Sequence, residues 1–322
     1  MTDFPSLTLS ECADELLKIK RPLVVMHVRP DGDTVGSGTA LCEIFRALGV
    51  EAKYICADRI PARLAFLTEG IERAESTDGY ELISVDVASP AQMGSLFAPD
   101  TVRLTIDHHE VNTPYAPNYT VGGLSSSGEV LYRVARELED RGLITINTKI
   151  AERLYAAISS DTGGFIFSSA TPETYVVAAK LISLGVDHSA INHRLFMSKP
   201  KDQIRAEGFV ASGIRSAANG RISYAVVTRR DREILDIPFE QFECGIDVVR
   251  SLLGTEVAFI VKETDGGEIK ASLRSTGRNV AEIAARHGGG GHLRAAGCTL
   301  TADSPAEAAE LLAAELTEAF FA

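Results

Sequence analysis

Aspartate and histidine residues stand at four separated places in this 322-residue chain. They are His27-Val28-Arg29-Pro30-Asp31-Gly32-Asp33, then Asp86 behind the apolar run Leu82-Ile83-Ser84-Val85, then Asp107-His108-His109 behind Leu104-Thr105-Ile106, and Asp161 ahead of Thr162-Gly163-Gly164-Phe165. Each has an ordinary explanation when taken alone. Asp-Gly-Asp commonly makes a turn, an Asp after a strand commonly caps a helix, and Asp-Thr-Gly is turn-like. Three polar residues closing a buried strand are harder to explain this way, and the joint order of the four places points to a site. Several carboxylates brought within about 4–6 Å repel and shift one another's pKa values unless cations neutralise them. Oxygen ligands with paired imidazoles and no thiolate suit two divalent ions. The nitrogen donors favour Mn²⁺ over Mg²⁺, and Zn²⁺, Co²⁺ and Fe²⁺ are chemically compatible. Two such ions about 3.5–4 Å apart activate a shared water and clamp an in-line attack on phosphorus, so phosphate-ester hydrolysis is the chemistry suggested.

The elements that would position these residues read as strands alternating with helices. An amphipathic helix over 8–20, with Thr8 and Glu11 at capping-box spacing, precedes a buried strand over 22–28. A helix over 36–48 follows and stops at Gly49. Strands are expected at 52–56, 82–86 and 103–106, and helices at 127–140, 148–160 and 172–184, the last opened by Thr171-Pro172. This pattern predicts an α/β fold, with an N-terminal, mainly parallel sheet covered by helices on both faces. The carboxyl ends of neighbouring parallel strands open onto one crevice, where the four places can meet. The first domain is expected over 1–187, a helical linker broken near Pro200 over 188–219, and a smaller C-terminal α/β domain over 220–322. The smaller domain has strands near 222–228, 257–262 and 269–275, a turn at 265–267, and helices at 280–286 and 304–320.

In the second domain Gly288-Gly289-Gly290-Gly291-His292 could cradle a phosphate, because glycine lets successive backbone N–H groups approach an anion. Such a run serves equally as a helix stop and tight turn. No Gly-Lys-Ser/Thr follows and a helix rather than a strand leads directly into it, so it is neither a Walker loop nor a dinucleotide fingerprint, and neither ATP nor NAD is implied. Arg274 on the preceding strand offers a planar fork for phosphate, and His292 can stack on or hydrogen-bond a base or phosphate. The substrate-binding candidates are therefore Arg274, Gly289, Gly290, Gly291 and His292.

A formal net charge of −12 disfavours a partner such as long duplex nucleic acid, which is usually held by a basic face; a short oligonucleotide or nucleotide substrate remains compatible. Five scattered cysteines without a C-x-x-C pair argue for reduced thiols rather than disulfides or a zinc site. No apolar run is long enough for a bilayer, and the N-terminus lacks a signal-peptide layout, so a cytoplasmic protein without a membrane partner is expected. A homodimer is compatible with the chain. His188, His193 and His287 have no partner in the motif pattern and are read as ordinary surface or structural residues.

Asp107-His108-His109, together with the HxxPDGDxxGS-like stretch over 27–37, resembles the signature of the DHH phosphoesterases. The C-terminal segments Ser272-Leu273-Arg274-Ser275, Asn279-Val280-Ala281-Glu282-Ile283-Ala284, 288–292 and Ala295-Ala296-Gly297 resemble the DHHA1 module. Nearly the whole chain is covered. Within the superfamily the pairing is most similar to NrnA-type oligoribonucleases and 3′-phosphoadenosine-5′-phosphate (pAp) phosphatases, and to related cyclic-dinucleotide phosphodiesterases. The resemblance implies that His27 and Asp31 hold one metal, that Asp33, His108 and Asp161 hold the other, and that Asp86 bridges them. It places His109 at the substrate phosphate or leaving group as stabiliser or general acid, and Asp107 behind the histidines as their orienting partner. The smaller domain would grip the terminal nucleotide. The family often has a basic residue near the Phe after Asp-Thr-Gly; Gly164 and Ile166 stand here instead, so no basic contact is carried over to this loop. Inorganic pyrophosphatases and exopolyphosphatases could use the same metal constellation, but a compact polyanion would call for more basic residues than Arg274 alone. A non-catalytic binding protein would be expected to have lost some of the metal positions.

Overall fold

The computed structural model describes residues 4–94 and 101–322. The chain forms two compact units, Met1–Ser198 and Lys199–Ala322. In the first, the apolar runs become β1 (Pro22–Met26), β2 (Lys53–Cys56), β3 (Glu81–Val85), β4 (Val102–Asp107) and a short β5 (Asn118–Thr120). All pair parallel, in the order β2-β1-β3-β4-β5. Since β1 lies between β2 and β3, the winding direction reverses there, and the carboxyl ends of β1 and β3 flank the crevice that such a switch point creates.

Alternation along these strands buries both sheet faces. Val24, Met26, Ile83, Val85, Leu104 and Ile106 face a large core shared with the helices, while Leu23, Val25, Leu82 and Val102 face a smaller one with Val87, Met93 and Tyr115. The helices of this unit are α1 (Leu9–Lys18), α2 (Gly32–Ala47), α3 (Ser127–Asp140), α4 (Thr148–Asp161), α5 (Pro172–Ser183) and α6 (His188–Asn192). The capping box expected at Thr8 and Glu11 is formed at the start of α1.

Two differences from the sequence reading bear on the site. The first strand ends at Met26, which leaves His27 just beyond it, and α2 begins at Gly32 rather than at 36. Glycines at 32, 36 and 38 lower the intrinsic helix propensity of this stretch. Tertiary packing holds it instead, because the glycines let backbones close on one another. A Cβ on Gly36 would lie 2.8 Å from the Arg153 carbonyl oxygen and 2.9 Å from Ala157 in α4, and one on Gly38 would meet Met26 of β1.

The second unit is a mixed sheet ordered β10-β11-β9-β8-β7-β6. Its strands are β6 (Arg215–Ala217), β7 (Ile222–Val227), β8 (Val257–Glu263), β9 (Ile269–Ser275), β10 (Gly290–His292) and β11 (Ala295–Leu300). One face packs on α10 (Val280–Arg286) and α11 (Pro305–Phe321). The other packs on α7 (Lys201–Ser212), α8 (Arg229–Leu235) and α9 (Gly245–Arg250). Of the segment 188–219 expected as a linker, 188–198 belongs to the first unit and the remainder to the second. The four short or glycine-rich strands β5, β6, β10 and β11 carry too little periodic signal to be read in advance. Among the described residues no helix is long and apolar enough to cross a membrane.

The α2–α4 seam gives a stability test. Gly36→Ala adds a methyl with no room against a backbone carbonyl, and overpacking of this kind costs about 1–3 kcal/mol, more than the roughly 1 kcal/mol gained in helix propensity. A lowered urea midpoint is expected; an unchanged or raised midpoint would refute the tight seam.

Candidate metal centre

His27 follows β1, Asp86 follows β3, Asp107 is the last residue of β4 with His108 and His109 behind it, and Asp161 is the last residue of α4. Asp31 is the N-cap of α2, its Oδ1 accepting from the N–H groups of Asp33 (3.0 Å) and Thr34 (3.1 Å). The Asp-Gly-Asp stretch is thus a helix start, and Asp33 lies in the first turn.

These elements bring the residues together. His27 Nε2 lies 3.6 Å from Asp31 Oδ1 and 3.5 Å from Asp86 Oδ2. His108 Nε2 lies 3.8 Å from Asp33 Oδ2, 3.6 Å from Asp86 Oδ1 and 3.7 Å from Asp161 Oδ2. Asp86 therefore touches both groups with different oxygens. Three sets have donor atoms within 4.8 Å of one another and could hold a metal ion: His27, Asp31 and Asp86; Asp33, His108 and Asp161; and Asp86, His108 and His109.

The imidazole orientations test whether this donor set fits cations. His27 Nδ1 is 2.8 Å from the Val28 carbonyl oxygen, and His108 Nδ1 is 3.1 Å from that of Leu124. A neutral ring donating its Nδ1–H to a carbonyl presents a free lone pair at Nε2, and here both Nε2 atoms face the carboxylates. This arrangement is characteristic of metal-binding histidines. Electrostatics agree. Burial, then the neighbouring charges of Asp86, Asp161 and Asp31, push the Asp33 carboxyl well above its ordinary range. Burial likewise raises Asp161, to about 6, against the pull of His108. Burial disfavours the charged form of His27, but Asp31 and Asp86 outweigh it and hold the ring protonated, with a pKa of about 11. The residues fit a pair of divalent cations, which would relieve this crowding.

His109 differs from the other two rings. Its Nδ1 donates to Asp107 Oδ1 at 2.7 Å, and that oxygen also accepts the His108 N–H at 2.8 Å. This hydrogen bond, opposed by burial and aided by further carboxylates, raises His109 to about 9. Asp86 has a left-handed backbone at φ 62°, with its N–H held by the Ile106 carbonyl at 3.0 Å. Such strain is uncommon for a non-glycine residue and concentrates at functional sites.

Sequence reasoning missed the residues that hold the carboxylates. Ser127 N–H (2.8 Å) and Gly128 N–H (3.1 Å), at the start of α3, donate to Asp33, as does Ser37 Oγ (2.8 Å). Ser127 Oγ donates to Asp86 at 3.0 Å. The serine run 125–127 followed by Glu129 signals a helix start, but nothing local tells what that helix points at.

Arg274, Gly289, Gly290, Gly291 and His292 lie in the second unit. The glycine run is not simply a turn: Gly290–His292 forms the edge strand β10. Register pairs His292 with Ala295 and Ala295 with Arg274, while Gly290 pairs with Gly297 and Gly297 with Ser272. Directly paired residues share a sheet face, so Arg274, His292, Gly290 and Ser272 stand on one surface. A Cβ on Gly289 would lie 2.2 Å from the Gly297 oxygen, and one on Gly291 2.4 Å from the Ala295 oxygen, whereas Gly290 faces open space. Close backbone packing therefore accounts for Gly289 and Gly291. His287 is ion-paired with Glu315, His193 lies against Ser198, and His188 stacks edge-on to Tyr155.

A parallel-sheet unit with an Asp/His cluster at its switch point, followed by a smaller mixed-sheet unit, defines the class, and family models match both parts. The DHH family N-terminal domain matches residues 21–158 and the DHHA1 domain residues 240–320; the chain belongs to the DHH family. The bifunctional oligoribonuclease and PAP phosphatase NrnA of Thermus thermophilus is 31% identical over 294 residues, covering 89% of this chain and 87% of its own. The protein of the same name from Bacillus subtilis is 30% identical over 285 residues, with coverage of 85% and 87%. In three dimensions the chain is similar to an exopolyphosphatase-related protein from Bacteroides fragilis, with a TM-score of 0.85, 21% identity and coverage of 97% and 96%. That likeness speaks for the fold.

Ligand imidazoles must lose a proton to bind a cation. With His27 protonated up to about pH 11 in the metal-free protein, and Asp161 partly protonated near pH 6, cation binding releases protons and tightens as pH rises from 6 to 9. Calorimetric titration of the stripped protein, in buffers of differing ionisation enthalpy, is expected to show this release; heats independent of buffer would refute it.

Proposed function

We propose that the protein is a two-metal phosphoesterase that hydrolyses short oligoribonucleotides, dinucleotides included, and pAp to mononucleotides. The observation that carries the reading is the pair of Nε2 atoms, on His27 and His108, facing opposite oxygens of Asp86. His27 and Asp31 would hold one ion and Asp33, His108 and Asp161 the other, with the Asp86 oxygens within reach of both sets. The nitrogen donors among hard oxygens favour Mn²⁺. When bound, the ions supply Lewis acidity, lowering the pKa of water and neutralising charge on the phosphoryl group.

The chain's own groups do the rest. Asp86 fixes the spacing of the two ligand sets from a backbone that β4 holds in place. His109, whose pKa Asp107 raises to about 9 in the metal-free protein, offers its Nε2–H to the departing oxygen. Water adds to phosphorus and releases a proton to solvent, the P–O ester bond breaks, the leaving oxygen takes its proton from His109, and His109 is reprotonated from solvent. Asp107 keeps that ring in one tautomer. In the second unit, Arg274 contacts a phosphate while His292 and the flat surface around Gly290 accept a base. Support for nucleotide substrates comes from the names of the two NrnA relatives and from the chain's net charge of −12, which suits a small anion held by local cations rather than a long polyanion.

A side-by-side Mn²⁺-dependent assay with a dinucleotide, pAp, a cyclic dinucleotide and pyrophosphate tests the substrate class. Turnover of the dinucleotide and pAp is expected; phosphate release from pyrophosphate alone would overturn the nucleotide reading. Asp86→Asn should cut kcat by at least about 100-fold, on the scale of losing a catalytic metal ligand, and near-wild-type turnover with full metal loading would sink the shared-ligand assignment. Arg274→Ala should damage dinucleotide hydrolysis more than hydrolysis of a generic small phosphodiester. Equal losses would remove the second unit from substrate recognition.

A further inference from the structure

We infer that Glu129, which contacts none of the proposed metal ligands, is a positioning residue that sets the metal affinity of the centre through the turn 124–128. The inference rests on the metal-centre reading and deepens it. That turn meets three of the proposed ligands at once. The Leu124 carbonyl fixes His108 Nδ1, the Ser127 and Gly128 N–H groups bind Asp33, and Ser127 Oγ binds Asp86. A shift of this turn therefore moves donors belonging to both ligand sets.

Glu129 is what anchors the turn from behind. It is only 1% exposed, and its Oε2 accepts from the Ser125 N–H at 3.2 Å, the Ser125 hydroxyl at 2.6 Å and the Thr174 hydroxyl of α5 at 3.0 Å. Thr174 is itself fully buried and tied to Thr171 at the start of α5. One carboxylate oxygen thus joins the turn to a neighbouring helix.

Helix capping does not explain this side chain. Ser126 Oγ already caps α3 by accepting the Glu129 N–H at 3.1 Å. Moreover, Glu129 Oε1 is buried with no hydrogen-bond partner among the described residues, and an unpaired buried polar group costs about 1–3 kcal/mol. The other oxygen, by contrast, accepts from Ser125 and Thr174, buried groups that an apolar residue would leave unpaired. What the carboxylate adds is a fixed Ser125, and with it the Leu124 carbonyl on one side and Ser127 on the other. Loss of an outer partner of this kind typically weakens metal binding about 10–100-fold.

The test is a Mn²⁺ titration of the EDTA-stripped full-length protein, with thermal unfolding of the metal-free form measured in parallel. Glu129→Ala is expected to weaken Mn²⁺ binding about 10–100-fold in folded protein, with kcat largely recovered at saturating Mn²⁺. Glu129→Gln, whose amide oxygen can still accept from Ser125, should retain most of the affinity. Should Glu129→Ala fail to fold, Ser125→Ala decides the matter, because it removes the shortest contact and should weaken Mn²⁺ binding in the same direction. A lowered unfolding temperature with unchanged affinity in the folded variant would mean a merely structural role and overturn the inference, as would Glu129→Gln being as impaired as Glu129→Ala. Failure of the wild-type protein to bind Mn²⁺ would instead overturn the metal-centre reading itself.

Discussion

Carboxylate crowding at one end of a parallel sheet is the constraint around which the first unit is built. Asp33 and Asp86 are almost fully buried, and Asp31 and Asp161 stand beside them. Uncompensated, so much negative charge would open the fold or take up protons. Three kinds of positive potential oppose it. The N-terminus of α2 meets Asp31 and that of α3 meets Asp33 with backbone N–H groups, imidazoles approach from the ends of β1 and β4, and the donor geometry leaves room for cations. The glycine-lined closeness of α2 to α4 follows from the same need, since α2 must start beside the crevice and α4 must end there.

Much of this was legible in the sequence, and the reasons differ by element. β1 is a continuous apolar run, and β3 and β4 are mainly apolar with Ser84, Arg103 and Thr105 inside them, as suits strands covered on both faces, and the polar residues that end them announced the crevice. The start of α2 was placed late because its glycines speak against a helix, while the fact that favours one, burial against α4, is tertiary. The helix over 127–140 was legible. Its role was not, because the partner of Ser127 lies 94 residues away at Asp33, and no local pattern encodes a contact of that range.

The second unit shows the same limit. A run of glycines has no side-chain period, so Gly290–His292 could not be distinguished from a turn until β11 was in place to pair with it. Once paired, register separates the glycines. Those at 289 and 291 are required by the backbone behind them, and Gly290 shares its surface with Arg274 and His292. Register thus says only which side of the sheet each of these residues faces.

The left-handed backbone at Asp86 sets a limit on how this protein can be improved. A glycine there would relax the main chain and, by conformational preference alone, stabilise the fold. It would also delete the one carboxylate that reaches both ligand sets. On the metal-centre reading proposed above, selection for robustness and selection for turnover pull in opposite directions at a single torsion angle, so a screen that rewards only thermal tolerance would be drawn toward inactive proteins at this position.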